Sequence, residues 1–387
     1  DNLSKSSERI LKEKLILKNG LPTAGIKTNG KDWGYFFRDT ALSSFILTDM
    51  KMLKNNIDFG ILTQGKCYNP KTGEEPGKII HERKKVCIKG LQTTYNAFDT
   101  TPLFLMSICI YYEKTKDEDF IKKNKNSIKL SIDYILRHID DNGLYWDMPP
   151  TGAKKFALQA TYWKDGEFLK HISYPVTYSL VQAQVSKALK DISKLSEEFN
   201  ISDYKLIKIL GERSAKAIST IMWDKNLSYP VIAIDRDGPV SAISSDGLHM
   251  LAYIERRDIQ KSKLEKIWKA SKRLETIYGY RTYSPRQPYY NPKSYQLGSI
   301  WPFEQYFIFI GALKHKNQNV VQVSLRVLKA LEKVKCFPEV IHYYDGVLEV
   351  DAPPEAVGQL AVLDDLQQDV VDVRVRLLDL VEEDHGV

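Results

Sequence analysis

The stretch Thr161-Tyr-Trp-Lys-Asp-Gly166 puts a carboxyl, Asp165, beside Lys164 and two residues after Trp163. A carboxyl held against an aromatic ring loses hydration and its pKa rises, while a nearby ammonium pulls it back down. A carboxylic acid tuned in this way suits general acid work. The same six residues also read as an ordinary Asp-Gly turn with an exposed lysine. Other residues able to do chemistry lie far apart in the chain. Arg38-Asp39 sits at the mouth of an expected helix, either as a structural salt bridge or as a fork for polar groups of a ligand. His81 and Glu82 fall in a long connection, 65–97, of the kind that often carries function. Asp99 precedes Thr100-Thr101-Pro102, where capping alone would explain it. The aromatic, turn-rich run Tyr289 to Gln305 holds Tyr295, Trp301 and Glu304. Glu304 has a ready structural role in the first turn of a helix, where the dipole favours negative charge. Glu339 stands behind Pro338 and, taken alone, is a surface loop residue.

The elements that would position these residues are mostly helices. Leu3 to Lys18 has a helical face of Ile10, Leu11 and Leu15, with Asn19-Gly20-Leu21-Pro22 as its stop. Asp39 or Thr40 is placed to cap a helix carrying Leu42, Phe45, Ile46 and Leu53. Thr101 as cap and Pro102 at the first helical position start the next. Another begins at Asp117 or Glu118 and ends near Asp141-Asn142-Gly143. Val181, Val185, Ala188, Ile192 and Leu195 keep helical spacing. Ser202 is expected to cap a helix with Leu206, Leu210, Ala217 and Ile221 inward. Further helices are expected at 243–255, 258–275, 302–314 and 319–334, with short strands from Tyr229 to Ile234. Sequential helix pairs with functional loops at one end suggest a helical toroid, an all-α fold.

Composition sets the outer bounds. With 387 residues, 43% hydrophobic and 27% charged, the chain is long enough for a sizeable core. No run of about 18 apolar residues would span a bilayer, and Asp1 to Lys14 lacks the apolar core of a signal peptide. The expected setting is cytoplasmic, with no membrane partner. Residues 1–350 carry 54 Lys and Arg against 39 Asp and Glu, while 351–387 carry 2 against 10. The basic residues are spread along helical faces, as at Lys122, Lys123 and Lys125, so no nucleic-acid partner is expected. Cys67, Cys87, Cys109 and Cys336 are too scattered for a metal site and are expected as buried thiols. The seven histidines include no pair at ligand spacing, and no glycine-rich phosphate loop or dinucleotide fingerprint occurs. No metal and no cofactor is expected.

In order along the chain, six stretches together resemble the amylo-α-1,6-glucosidase (glycogen debranching) type of glycoside hydrolase, within the wider six-hairpin group. They are Phe36-Phe37-Arg38-Asp39-Thr40; Gly77 to Glu82; Phe98-Asp99-Thr100-Thr101-Pro102-Leu103-Phe104; Trp163-Lys164-Asp165-Gly166; Asn291 to Tyr295 running into Gly298-Ser299-Ile300-Trp301-Pro302; and Pro338-Glu339. The resemblance implies an (α/α)6 toroid, with the sugar site in a funnel of loops at one end. It implies hydrolysis of an α-glucosidic bond with inversion, Asp165 as general acid and Glu339 as general base. Glu304 is the second candidate for the base. Arg38 and Asp39 would hold sugar hydroxyls, with His81, Glu82, Asp99 and Tyr295 along the funnel and Trp163 and Trp301 offering flat faces to the sugar. The substrate would be an oligosaccharide or small glycoside, on an α-glucan or another α-glucoside. Trehalose-type and mannosylglycerate-type hydrolysis, phosphorolysis and a non-catalytic carbohydrate-binding scaffold are the alternatives. Relatives usually carry Tyr-His where this chain has Tyr295-Gln296. The expected division is a catalytic domain at 1–346 and an acidic, lysine-free segment at 347–387, either a non-native extension or a replacement for the closing helix, with a helix possible from Gln359 to Leu380. The oligomeric state stays open.

Overall fold

The computed structural model describes residues 21, 34–47, 49–83, 87–88, 90–148, 162–334 and 338–351. The expected opening helix at 3–18, Cys336 and the acidic segment beyond 351 lie outside the described residues.

The helices are α1 (Phe37–Leu47), α2 (Met50–Leu62), α3 (Thr100–Thr115), α4 (Glu118–His138), α5 (Ser179–Phe199), α6 (Tyr204–Thr220), α7 (Asp246–His249), α8 (Lys261–Ser271), α9 (Pro302–Lys314), α10 (Gln318–Ser324) and α11 (Val327–Val334). They pack as neighbours in sequence: α1 on α2, α3 on α4, α5 along α6, and α9 on α10. Two kinds of helix build the layers. In α3 every residue from Thr100 to Ile108 is buried, and α9 is buried on nearly all sides. Such all-round burial belongs to an inner layer. By contrast α4 buries Ile121, Ile128, Ile132 and Ile135 along one stripe and leaves its lysines outside. The single-sided stripe marks an outer helix. Between α5 and α6 the layers come close because Gly211 has no side chain. A Cβ there would meet Leu189 Cβ at 3.1 Å, and Ser186 Oγ donates to the Gly211 carbonyl at 2.8 Å.

Local signals place most helix starts within a residue or two. Asp49, Asp117 and Asp203 each accept backbone N–H bonds at the mouths of α2, α4 and α6. Pro302 opens α9, where its missing N–H costs nothing. Several expectations need correction. Asp39 and Thr40 lie within the first turn of α1 rather than capping it, because the helix already begins at Phe37. Asp99, just ahead of the predicted Thr101, is the N-cap residue of α3. Asp203 caps α6 in place of Ser202. Leu206 and Ile221 are exposed, and Ile207, Gly211, Ala215 and Ile218 face the core instead. The expected helix at 243–255 shrinks to α7 and one 3-10 turn, and that at 319–334 divides into α10 and α11. Cys67 is exposed rather than buried.

Strands are short and serve as clips on the loops. Val176–Tyr178, Ala233–Asp235 and Gly238–Val240 form a three-stranded sheet. Near the C-terminal limit, Val340–Tyr344 pairs in antiparallel register with Val347–Asp351, Tyr344 opposite Val347. The boundary expected at 346/347 lies at the turn of this hairpin. The turn residues Asp345 and Gly346 both have positive φ, 49° and 78°, as a two-residue turn matching strand twist requires.

Candidate active site

Asp165 lies in the turn that leads from Trp163 to the 3-10 helix Glu167–His171. The turn is gripped by Gln296. The Gln296 Oε1 accepts from the Gly166 N–H at 2.6 Å, and its Nε2 donates to the Trp163 carbonyl at 2.6 Å and to Asp165 Oδ1 at 3.4 Å. Glycine at 166 permits this approach, since a Cβ would stand 2.9 Å from the Gln296 Oε1. Burial raises the Asp165 carboxyl to about 6, against the Arg38 cation, which lowers it, while the Asp39 charge adds to the rise. At neutral pH such a group can still deliver a proton.

The cation acting on Asp165 is Arg38, not Lys164. Lys164 is 2% exposed and points away, ion-paired to Asp246 at 3.0 Å and donating to Ser245 Oγ at 3.0 Å. Its side chain pins the turn from behind instead of tuning the acid. Sequence reading missed Asp246 and Ser245 because they are some eighty positions away; the one local trace is Ser244-Ser245 leading into Asp246-Gly247 at the start of α7.

Arg38, in the first turn of α1, grips Asp99 with two bonds, Nε to Oδ2 at 2.7 Å and Nη2 to Oδ1 at 3.0 Å. The pair is buried, so the fork is primarily a clamp between α1 and the start of α3. Asp39 is half-buried, and burial raises its carboxyl against the lowering effect of Arg38. Asp39, Asp99 and Asp165 thus surround one guanidinium.

The second expected carboxyl is Glu339. Behind Pro338 it stands at the foot of Val340–Tyr344, and Ile341 exchanges two backbone bonds with Ile300, at 2.8 and 2.9 Å. That pairing ties Glu339 to the segment carrying Tyr295 and Trp301. The Tyr295 hydroxyl is hydrogen-bonded to Glu339. Its pKa is pushed up by burial and then by the charges of Glu339, Asp165 and Asp39. Adjacent residues therefore reach the two carboxyls: Tyr295 holds Glu339 and Gln296 holds Asp165.

Other expected site residues lie deeper. The segment of His81 and Glu82 pairs with the entry to α1, Phe37 N–H to the His81 carbonyl at 2.9 Å. The His81 Nδ1–H donates to the Thr93 carbonyl, and burial followed by the Arg38 charge pulls its pKa down to about 3, so the ring is neutral. Glu82 is buried and accepts from the Thr93 hydroxyl. Trp163 and Trp301 do not present open faces. They are 6% and 5% exposed and meet edge to face at 5.3 Å, with Phe303 packed edge to face against both, the geometry that ring quadrupoles favour over a face-to-face sandwich. They form the wall behind Asp165. Glu304 is wholly buried in the first turn of α9, 3.5 Å from His249 Nδ1.

A family model for the mannosylglycerate hydrolase MGH1-like glycoside hydrolase domain matches residues 42–348. The chain belongs to this family. As an MGH1-like glycoside hydrolase it is a glycosidase of the six-hairpin group, acting on a sugar substrate. The amylo-α-1,6-glucosidase branch suggested by the motifs gains no support from this match. No curated protein matches the chain by sequence. Among solved structures, the GH63 mannosylglycerate hydrolase from Thermus thermophilus in complex with glucose superposes with a TM-score of 0.66 at 12% identity, over 95% of this chain and 99% of that one. The same protein in complex with Tris and D-glycerate gives 0.67 at 13%, over 95% and 100%. The GH78 family rhamnosidase of Bacillus sp. GL1 gives 0.64 at 11%, over 95% of this chain and 35% of that one. The MGH1-like chain has the (α/α)6 toroid these structures share. No helix among its described residues is long and apolar enough to cross a membrane.

Proposed function

We propose that this MGH1-like chain hydrolyses a small α-linked glycoside of the mannosylglycerate type with inversion, Asp165 acting as general acid and Glu339 as general base. The observation that carries this reading is the pair of adjacent side chains, Tyr295 and Gln296, that reach one carboxyl each. Two carboxyls in unlike surroundings can hold opposite protonation states. Asp165, raised by burial to about 6, gives its proton to the glycosidic oxygen as that bond breaks. Glu339, steadied as an acceptor by the Tyr295 hydroxyl, takes a proton from the water that attacks the anomeric carbon from the opposite face. The products are the free sugar and the released alcohol, and the enzyme regains its starting state by exchanging one proton with solvent. Half-buried Asp39 remains near the reacting sugar to accept its hydroxyls.

The substrate class is supported by membership in the MGH1-like family and by the Thermus thermophilus relative crystallised with D-glycerate. An α-glucan is the second reading, favoured by the motif resemblance alone. Initial rates on mannosylglycerate, trehalose, and malto- and isomalto-oligosaccharides separate the two. The proposal expects the highest kcat/KM on mannosylglycerate; turnover confined to the oligosaccharides would replace it with the α-glucan reading, and turnover of none would remove it.

A further inference from the structure

A cavity of about 520 Å³ opens between the loop before Tyr295 and the tip of the 340–351 hairpin. Arg281, Tyr290, Asn291 and Lys293 line it on one side, and Tyr344 and Asp345 on the other. None of the acid–base residues described above lines it. Its size is that of a small-molecule site. The wall at the hairpin tip is held by the tight Asp345-Gly346 turn, and the loop is held to the hairpin by the bond between His342 Nδ1 and the Pro292 carbonyl at 2.8 Å.

The charges in this cavity are unbalanced. Among the described residues, neither Arg281 nor Lys293 forms an ion pair. Each instead rests on a tyrosine: Arg281 lies 5.6 Å from the Tyr290 centroid and donates to its hydroxyl, and Lys293 Nζ lies 4.6 Å from the Tyr344 centroid. The Arg281 Nε is buried with no hydrogen-bond partner. A cationic donor removed from water with no acceptor is unfavourable, and a negative charge in the cavity would offset the guanidinium charge without reaching the Nε itself. Of the lining residues two are cations and one, Asp345, is a carboxylate; Glu349 on the second strand of the hairpin also acts on Lys293, so the charge left over matches at most a single negative charge, nearest Arg281. A dianion would meet Asp345 repulsion, whereas sugar hydroxyls would donate to it. Tyrosine walls and the Asn291 amide suit a hydroxylated ring.

We infer that this cavity is a second saccharide site, separate from the acid–base centre, that takes a monoanionic sugar acid with its carboxylate between Arg281 and Lys293. The ring then lies against Tyr290 and Tyr344, with hydroxyls toward Asn291 and Asp345.

The test is equilibrium titration of the full chain with D-glucuronate, D-glucose, D-glucose 6-phosphate and inorganic phosphate, followed by calorimetry. The same titrations are run on Lys293→Gln, Arg281→Gln and Asp165→Asn. Lys293 is exposed, so its replacement leaves the fold intact even if Arg281→Gln does not fold. The expected result is glucuronate binding that weakens about tenfold or more in either cation variant. Glucose and both phosphates should bind more weakly than glucuronate, and Asp165→Asn should bind it unchanged. Glucuronate affinity indifferent to Lys293 and Arg281, loss of binding in Asp165→Asn, or phosphate bound as tightly as glucuronate would each overturn the inference.

Discussion

The side-chain amide of Gln296 spans the turn around Asp165, accepting from Gly166 N–H on one side and donating to the Trp163 carbonyl and the Asp165 carboxyl on the other. One neutral group thereby sets both where the acid sits and how readily it gives up its proton. A hydrogen bond to the charged form of a carboxylate lowers its pKa. Gln296→Leu should raise the Asp165 pKa above its present value of about 6. The acid works only while protonated, so activity is present below that pKa and lost as pH rises through it. The alkaline limb of kcat/KM should therefore move to higher pH. The looser turn should also lower kcat at the optimum by about tenfold or more. A pH–rate profile with the limb in place would show that Gln296 only packs.

Asp165 should weaken the fold above its own pKa. Its folded pKa, about 6, exceeds the ordinary 3.8, so the folded chain binds the proton more tightly than the unfolded one. Below 3.8 both states are protonated and nothing is lost; as pH rises toward 6 and beyond, the folded state must hold an ion it disfavours. Asp165→Asn removes that ion. Thermal melts should show the variant more stable at pH 7, by roughly 1–3 kcal/mol, and no difference at about pH 3.

Arg38→Gln leaves Asp99 charged and buried without its fork. Removing one partner of a buried pair costs about 3–5 kcal/mol, so denaturant titration should show a loss of that size. The same change withdraws the cation that holds the Asp165 pKa down, and any remaining activity should extend to higher pH.

Lys164→Met separates positioning from tuning. Asp246 would be stranded in the core, and stability should fall by about 3–5 kcal/mol. The alkaline limb should stay where it is, because Lys164 faces Asp246 and not Asp165. A shifted limb with unchanged stability would contradict this placement.

Much of the helical frame was readable from the chain because caps and stripes are local. Asp117 and Pro302 mark their helices within one residue, and the apolar steps from Val181 to Leu195 all face the core. The phase is not legible where small residues form the packed face, as in α6, since Gly211 and Ser214 carry no hydrophobic signal yet are buried at the helix contact. The motif order singled out candidate residues, yet it could not say which of them reach solvent. Trp163, Trp301 and Glu304 look available in the sequence and are buried by rings contributed from the same segment or from α7 and α9. Lys164 illustrates the same limit: adjacency to Asp165 suggested tuning, and a partner 82 positions later claimed its charge. In the sequence Gln296 stands out only as a departure from the usual Tyr-His, and its contact with the acid turn depends on 130 positions of intervening chain.

The most direct test of the central claim is the anomer first released, followed by proton NMR during hydrolysis of an α-linked substrate by the unmodified chain, Asp165→Asn and Glu339→Gln. The two-carboxylate account predicts the β-anomer as initial product and a loss of kcat of at least about a hundredfold in each variant. Release of the α-anomer, or turnover retained in Glu339→Gln, would contradict it.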